Sequence, residues 1–453
     1  MGRKTGSSTP SILARLSGGF GALRHRNFQL FFGGQLISLV GTWMQMVALS
    51  WLVYRMTGSS LLLGTVSFVS QIPIFLLAPV GGIVADRYRR HSVVVVTQTA
   101  AMILAFILAG LTLGGVVRVW HVMVLAGLSG AVFAFDMPAR QSLFKELVGH
   151  SDLMNAIALN SLIFNLARVV GPAIAGVLVA SIGEGWCFLG NAVSFLAVIA
   201  GLLMMRLPAS GAMPAKESVG AVLREGFDYV RRTRTIRDLL LLIGFAGLVA
   251  MPFSVLMPIF AADILHGGAR ALGTLMCATG VGALASALAM ALRRSLKNIS
   301  IWVTAAAIGF GLSLTAFSLS HHFWLSAALL VPVGFGTMLH LVATNTLIQS
   351  MVPDRLRGRV LSFYSMISIG MAPFGAFIAG ACAERWGAPL TVGVGGLACA
   401  AGGLVFATQL RGFRVEARRL IHEQQAANKV EAPMVAPGGM VPLEPMEGPV
   451  QTD

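Results

Sequence analysis

Long blocks of apolar residues follow one another along almost the whole chain, separated by short polar or basic segments. A helix needs about 20 apolar residues to cross the hydrocarbon core of a membrane. The pattern therefore predicts an all-α membrane protein. It indicates twelve spans, near 28–54, 60–85, 92–113, 119–147, 154–182, 186–205, 238–264, 269–292, 299–319, 323–352, 360–383 and 388–410.

The composition agrees with a membrane protein. Of the 453 residues, 56% are hydrophobic and only 11% are charged, whereas a typical soluble domain has about 25% charged residues. This excludes an ordinary soluble enzyme, a coiled coil and a disordered chain. The four cysteines form no CxxC pair, so the sequence supports neither a disulfide framework nor a metal site.

The net charge of +15 becomes a topology signal once each basic residue is assigned to a loop. If the N-terminus is cytoplasmic, 28 of the 33 Lys and Arg fall on the inner side, and only Arg168 lies deep inside a span. Cytoplasmic loops carry an excess of Lys and Arg. We therefore expect a multi-pass protein of a bacterial-type cytoplasmic (inner) membrane with both termini inside. The basic residues form no single stripe, so nucleic-acid binding is unsupported.

The spans divide into two sets of six, joined by a basic linker. Weak repeats relate the sets: Asp136 corresponds to His340 and Pro172 to Pro373. Such parallel halves are a transporter plan with the substrate site at the midplane. The predicted parts are a cytoplasmic N-terminal segment (1–27), an N-terminal bundle (28–206), a cytoplasmic linker (207–237), a C-terminal bundle (238–410) and a cytoplasmic, disordered tail (411–453).

The linker contains an amphipathic stretch from Val219 to Val230. We expect it to form a helix on the inner membrane surface, and a regulatory site is the alternative interpretation.

Several motifs resemble one transporter family. The segment Gly82-Ile-Val-Ala-Asp86-Arg87-Tyr88-Arg89-Arg90 resembles the G-x-x-x-D-R-x-G-R-[KR] motif of the major facilitator superfamily, with Arg89 where a glycine is usual. This variant, together with segments 24–32, 136–141 and 155–172, is similar to the enterobactin-exporter-like branch, the transmembrane secretion effectors. The resemblance covers roughly residues 20–412. It implies the major facilitator fold, with twelve transmembrane helices in two six-helix bundles, and siderophore-like or drug-like cargo.

The resemblance also implies a conformational latch made of Asp86, Arg87, Arg90 and Glu146. Asp86 would cap the N-terminus of span 11 near Val360, and Arg90 would pair with Glu146 at the inner end of span 4. The latch would hold an outward-facing state and break on inward opening. The alternative is ordinary positive-inside charge with an incidental surface pair.

Small residues in span 5 resemble the G-P-x-x-G-G motif of family exporters, with Ala175 in place of one glycine. Gly171, Pro172 and Gly176, together with Gly82, are therefore predicted helix-packing positions. The motif favours export; the alternative is a packing pair with no bearing on direction.

Four of the ionisable residues inside the spans are candidates for function: Asp136, Arg140, Arg168 and His340. Each charge near the bilayer centre costs about 2.5–3.5 kcal/mol on insertion scales, so each needs a partner or a wet cavity. We consider Asp136 a proton site and the other three further proton-coupling candidates. The alternatives are a static Asp–Arg pair locking spans 4 and 5 and, for His340, hydrogen-bonded packing.

Other polar residues in the spans are candidates for lining a cavity, although each could equally form an interhelical hydrogen bond. They are Gln35, Gln45, Gln71, Asn160, Asn165, Asn191, Asn345 and Gln349.

These features predict a secondary active transporter: a proton-coupled exporter of small amphipathic molecules that works by alternating access. No catalytic residues are predicted, so we expect no enzyme. No lysine follows a glycine, so a phosphate-binding G-x-x-x-x-G-K-[ST] loop is excluded, and the expected energy source is the proton gradient without cofactor, metal or ATP. The expected partners are a small-molecule substrate and the lipid bilayer, and the protein is expected to be monomeric. Alternatives are an importer or metabolite-specific transporter of the same fold, and a non-transporting membrane sensor or scaffold.

Overall fold

The protein is built almost entirely of long helices. The computed structural model describes residues 21–149, 152–205, 219–293 and 298–431. Twelve of its helices are long and apolar enough to cross a membrane, which confirms the all-α class and the number of spans. They are α1 (Arg26–Thr57), α2 (Ser60–Arg87), α3 (Arg90–Leu113), α4 (Val119–Val148), α5 (Leu153–Ile182), α6 (Glu184–Leu203), α7 (Arg234–Ile264), α8 (Gly268–Leu292), α9 (Ile299–Ser318), α10 (Phe323–Met351), α11 (Asp354–Trp386) and α12 (Ala388–Glu431).

The two ends of the bundle differ in charge. The connections after α2, α6 and α10 lie at one end, which we call the basic side because Arg87, Arg89 and Arg90 are among its residues. The other end, which carries the turns after α1, α5 and α11, is called the opposite side.

Helix α7 is irregular where it approaches the opposite side. Its regular part ends at Val249, and the chain continues through a 3₁₀ turn (Met251–Leu256) and a π-turn (Phe260–Ile264). Pro252 and Pro258 fall in this region, and a proline removes a backbone donor that a regular helix needs. The ring of Phe260 packs 4.7 Å from that of Phe317, so the irregular segment is held in the core.

Helices α1–α6 and α7–α12 form two halves with the same internal packing. Helix α2 lies against α4 in the first half, and α8 lies against α10 in the second. A Cβ atom at Gly130 of α4 would collide with the backbone of Ser70, and one at Gly334 of α10 would collide with that of Thr279. Gly130 and Gly334 are related by the same sequence separation as Asp136 and His340, so this part of the weak repeat corresponds to one packing contact made twice.

The halves meet through α2 with α11 and through α5 with α8. On the opposite side these pairs are in close contact. A Cβ atom at Gly380 would lie 2.6 Å from the carbonyl oxygen of Ser60, and one at Gly176 would lie 2.9 Å from the Cα atom of Gly273. The ring of Phe68 packs 5.7 Å from that of Phe374.

On the basic side the same helices separate. One stripe of α2 contacts α11 through Gly64, Phe68 and Phe75. The continuation of that stripe reaches Gly82, where a Cβ atom would meet nothing within 4 Å, and then the exposed Asp86. The halves therefore enclose a cleft that is open on the basic side and closed on the opposite side.

The amphipathic stretch predicted in the linker is a helix, the linker helix (Val219–Arg232). Its Glu225 forms ion pairs with Arg355, at 3.2 Å, and with Arg359, both near the start of α11. Phe227 packs against Phe363, with ring centroids 6.1 Å apart. The helix thus lies on the basic end of α11, where burial raises the pKa of the Tyr229 hydroxyl.

The expected disorder from residue 411 is wrong for the first part of the tail, because α12 continues to Glu431. Phe413 and Ala417 are buried in the core that also contains Ile236, and Arg414 donates to the side-chain oxygen of Asn298 at 2.7 Å. Apolar residues at helical spacing keep this segment packed. The remainder of the tail (432–453) and the segments 1–20 and 206–218 lie outside the described residues.

Candidate functional site

A cluster of polar side chains is buried among α1, α3 and α4 in the first half. The Asp136 cluster consists of Gln35, Thr97, Gln98, Asp136 and Arg140. One carboxylate oxygen of Asp136 accepts hydrogen bonds from Thr97, at 2.8 Å, and from Gln98, at 2.9 Å. The other oxygen pairs with Arg140, one turn further along α4. Only 2% of Asp136 is exposed, so these bonds compensate a charge that is removed from water.

Arg140 links the carboxylate to a second helix. Its other terminal nitrogen donates to the side-chain oxygen of Gln35 on α1, at 2.8 Å. The amide nitrogen of Gln35 and the Nε of Arg140 are buried without a hydrogen-bond partner among the described residues. The hydrogen-bond network of the cluster is therefore not fully satisfied. Each buried polar atom without a partner costs about 1–3 kcal/mol.

Helical spacing places Asp136 and Arg140 on the same face of α4, and the structure shows that they form an ion pair there. The alternative of an Asp–Arg lock between spans 4 and 5 is wrong in its partner, because Asp136 bonds to α3 and to its own helix rather than to Arg168. Thr97 and Gln98 were missed. The signal for them was a short polar run, residues 97–99, within the apolar α3.

Arg168 lies elsewhere, beside the aromatic ring of Trp43. Its guanidinium carbon is 5.6 Å from the ring centroid, which is within cation–π range. Trp43 in turn makes an edge contact with Phe164, at 5.7 Å between centroids.

His340 is fully buried on α10. Its ring approaches the backbone of Val303, but neither ring nitrogen has a partner with hydrogen-bond geometry among the described residues. It is the repeat partner of Asp136, yet no carboxylate of the described residues bonds to its ring, whereas Arg140 pairs with Asp136.

The predicted latch is formed only in part. Arg90 pairs with Glu146 at 2.7 Å, which confirms the contact within the first half. The cap by Asp86 near Val360 is not formed: α11 already begins at Asp354, Val360 is buried inside it, and Asp86 is exposed. Arg87 is likewise exposed. The cause is the separation of α2 from α11 on the basic side.

Three of the four predicted packing positions are in close contacts. A Cβ atom at Gly171 would lie 2.5 Å from the Cβ of Trp43, Gly176 packs against α8, and Pro172 is buried. The prediction for Gly82 is wrong in this structure, because its neighbour Gly81 packs against Ala134 instead. Gly82 lies on the stripe of α2 that faces the open part of the cleft.

Most of the polar cavity candidates bond to one another or to their own helix. Asn191 donates to Gln45 at 2.7 Å and joins α6 to α1. Three other candidates bond within their own helix: Gln71 with Ser67, Asn165 with the carbonyl of Ser161, and Gln349 with Asn345. Asn160 is half-buried. Gln35 is the only candidate in the Asp136 cluster as defined above.

A second polar contact, also missed from sequence, joins the halves on the opposite side. Glu384 near the end of α11 accepts hydrogen bonds from the Ser59 and Ser60 hydroxyls and from the Leu61 amide, at 3.1, 2.8 and 3.0 Å. It therefore caps the N-terminus of α2. Close by, the Tyr54 hydroxyl bonds to Asp263 of α7.

Comparison with known families identifies the group. The family model described as transmembrane secretion effector matches residues 17–451. The chain belongs to this family, within the major facilitator superfamily. It is a membrane transporter and not an enzyme.

Three relatives with named functions resemble the chain over most of its length. The staphyloferrin A transporter of Staphylococcus aureus is 24% identical over 81% of this chain and 92% of its own length. The multidrug efflux pump Tap of Mycolicibacterium fortuitum is 28% identical, with 77% and 87% covered. The enterobactin exporter EntS of Citrobacter koseri is 26% identical, with 79% and 85% covered.

Solved structures of the superfamily share the fold. The nucleoside transporter NupG superposes with a TM-score of 0.67 at 13% identity, covering 86% of this chain and 99% of NupG. A bacterial homologue of the iron transporter ferroportin, in an inward-facing state, gives a TM-score of 0.63 at 18% identity, with 84% and 98% covered. At these identities the likeness establishes the fold alone.

Proposed function

We propose that this transporter is a proton-coupled exporter of small amphipathic molecules from the cytoplasm, in which Asp136 binds the coupling proton. The observation that carries the proposal is the Asp136 cluster: a buried carboxylate that bonds to α3 directly and is linked to α1 through Arg140. Intramembrane carboxylates of this kind mark proton relays in pumps and transporters.

Protonation of Asp136 changes what holds α4 to its neighbours. The charged carboxylate attracts Arg140, and Arg140 bonds to Gln35 on α1. Once the carboxyl group is neutral, that attraction is lost and Arg140 is free to follow α1 or another partner. The proton would thereby alter the α1–α4 contact, and such a contact is a two-state element of the kind that alternating access requires.

The charge distribution, the open side of the cleft and the names of the relatives support the proposed direction. The excess of Lys and Arg on the basic side supports a cytoplasmic location for that side and for the termini, in a bacterial-type inner membrane. The cleft would then be open to the cytoplasm and able to load cargo there. The names of the relatives support export of siderophores or drugs, and because the two halves of one chain enclose the cleft, we infer that a monomer suffices.

The test is transport into inverted membrane vesicles that contain the full-length protein, with an imposed pH gradient, acid inside. Ethidium, a macrolide and enterobactin are the cargo probes. We expect gradient-dependent accumulation of at least one of them. In Asp136→Asn, which keeps the size of the side chain and one acceptor oxygen but removes the proton-binding carboxylate, accumulation should fall to the level measured without a gradient.

The matched control is Glu184→Gln, because Glu184 is also buried but pairs with Arg55 on the opposite side, at 2.7 Å. It should keep gradient-dependent accumulation. Unchanged accumulation in Asp136→Asn would remove Asp136 as the coupling site. Accumulation in the native protein that ignores the gradient would remove proton coupling, and gradient-driven depletion of a probe would indicate an importer.

A further inference from the structure

One face of α5 changes its environment halfway along the helix. Near the opposite side, Pro172, Ala175 and Val179 are buried on this face, against the neighbouring helices. Nearer the basic side, helical spacing places Ile157 and Phe164 on the same face, and they are 44% and 45% exposed. The exposed part is therefore the continuation of an interface that opens toward the basic side, which means that it lines the cleft.

Arg168 lies at the closed end of this cleft, where the exposed part of the face meets the buried part. At Arg168 the backbone of α5 packs closely on α8, because a Cβ atom at Gly280 of α8 would lie 2.7 Å from the carbonyl oxygen of Arg168. The guanidinium group, by contrast, lies beside Trp43, with Phe164 against the same ring. A positive charge and two aromatic rings are thus grouped at the deepest point of the cleft.

The charge of Arg168 is not neutralised within the described part of the chain, where no Asp or Glu forms an ion pair with it. Arg140 shows the contrast, because Asp136 pairs with it. A charged side chain at this depth is costly unless it meets an opposite charge or a water-filled cavity. A guanidinium group matches a carboxylate with two parallel hydrogen bonds, and the neighbouring rings suit a planar aromatic group.

We propose that Arg168, Trp43 and Phe164 form a binding subsite for an anionic aromatic group, specifically an aryl carboxylate. The carboxylate bonds to the Arg168 guanidinium, and the aryl ring packs against Trp43 and Phe164. This deepens the proposed function, on which it rests, by naming the chemical class of part of the cargo. Because the subsite touches α8 through Gly280, a bound ligand would contact the place where the two halves meet.

The test is equilibrium binding to the full-length protein in nanodiscs of zwitterionic lipid, without a pH gradient. The probes are the fluorescent 7-hydroxycoumarin-3-carboxylate and its uncharged carboxamide, followed by fluorescence anisotropy. We expect tighter binding of the carboxylate. Arg168→Gln should weaken carboxylate binding at least about tenfold and leave carboxamide binding unchanged.

Further variants separate the charge from the ring. Arg168→Lys should keep part of the preference for the carboxylate, because it keeps the charge but loses the paired geometry. Trp43→Leu should weaken both probes, and Trp43→Phe should restore binding in part. Arg118→Gln, at an exposed arginine on the opposite side, is the matched control and should bind both probes as the native protein does.

Equal binding of the two probes by the native protein would overturn the proposal, as would native carboxylate affinity in Arg168→Gln. If Arg168→Gln fails to fold, the ratio of carboxylate to carboxamide affinity in Arg168→Lys and Trp43→Leu tests the proposed subsite instead. A failure here leaves gradient-driven export of ethidium or a macrolide untouched. Conversely, loss of proton coupling leaves this equilibrium binding unchanged, so the two proposals can fail separately.

Discussion

At the scale of single residues, the bond from Arg140 to Gln35 is the link between the buried carboxylate and a second helix. We predict that a double-mutant cycle with Gln35→Leu and Arg140→Met gives a coupling in the free energy of unfolding on the order of 0.5–3 kcal/mol, as for side chains in contact. The reason is that either change removes the same interhelical bond. The measurement is unfolding of the purified protein in sodium dodecyl sulfate, followed by circular dichroism.

Gln71 provides the control for this cycle. It lies in α2 and bonds to Ser67, one turn earlier in the same helix. Gln71→Leu combined with Arg140→Met should therefore be additive within about 0.5 kcal/mol. Additivity in the Gln35 cycle as well would mean that the bond contributes nothing to the α1–α4 contact.

The sequence was informative about charged pairs within one helix or one half, and less so about pairs between helices. Asp136 with Arg140 follows from helical spacing, and Arg90 with Glu146 from the family motif. The partner of Arg168 did not follow, because spacing cannot show which neighbour a given face of α5 meets. The Arg168 side chain lies beside Trp43 of α1 and its backbone meets α8 of the other half, whereas Asp136 turns toward α3.

At the scale of helices, the contact between α2 and α11 depends on a cap supplied by Glu384. A carboxylate at a helix N-terminus contributes about 0.3–1 kcal/mol when exposed. We predict that Glu384→Gln shifts the equilibrium toward opening on the opposite side, by up to about fivefold. Electron–electron distances between spin labels at positions 118 and 319, one in each half, would report the shift as a larger long-distance population.

The neighbouring Arg385→Gln is the control, since it also changes an exposed charge at the end of α11 but leaves the cap in place. It should keep the native distance distribution. The labels require replacement of the four native cysteines, all of which are free. A native distribution in Glu384→Gln would show that the cap does not contribute to closure.

The hydrophobic pattern predicted the positions of the helices better than it predicted their ends. All twelve spans are found, because each block of apolar residues must be shielded from water. The prediction of disorder is wrong for the first part of the tail because it rested on a composition that is polar overall. Phe413 and Ala417 nevertheless recur at helical spacing and are buried. The irregular end of α7 depends on Pro252 and Pro258 and on packing against neighbouring helices, which a pattern of single residues does not contain.

At the scale of the whole molecule, the unmet predictions for Asp86 and Gly82 have one cause. Both residues lie on the stripe of α2 that contacts α11 nearer the opposite side, and both face the open part of the cleft. The family motif indicates that α2 and α11 are in contact here, whereas the structure shows them apart. The two are compatible if the halves rock about the closed end. The latch would then belong to the other conformation, whereas Arg90–Glu146, within one half, is independent of it.

If the two halves rock in this way, a side chain that obstructs the closed end should prevent the proposed export. A side chain at Gly380 would meet the backbone of Ser60 and Gly64. Gly380→Leu should therefore hold the opposite side open, lengthen the distance between labels at positions 118 and 319, and abolish cargo accumulation in inverted vesicles. Gly110→Leu is the control, because nothing lies within 4 Å of a Cβ atom there. Native accumulation in Gly380→Leu would contradict closure of the opposite side as a step of transport.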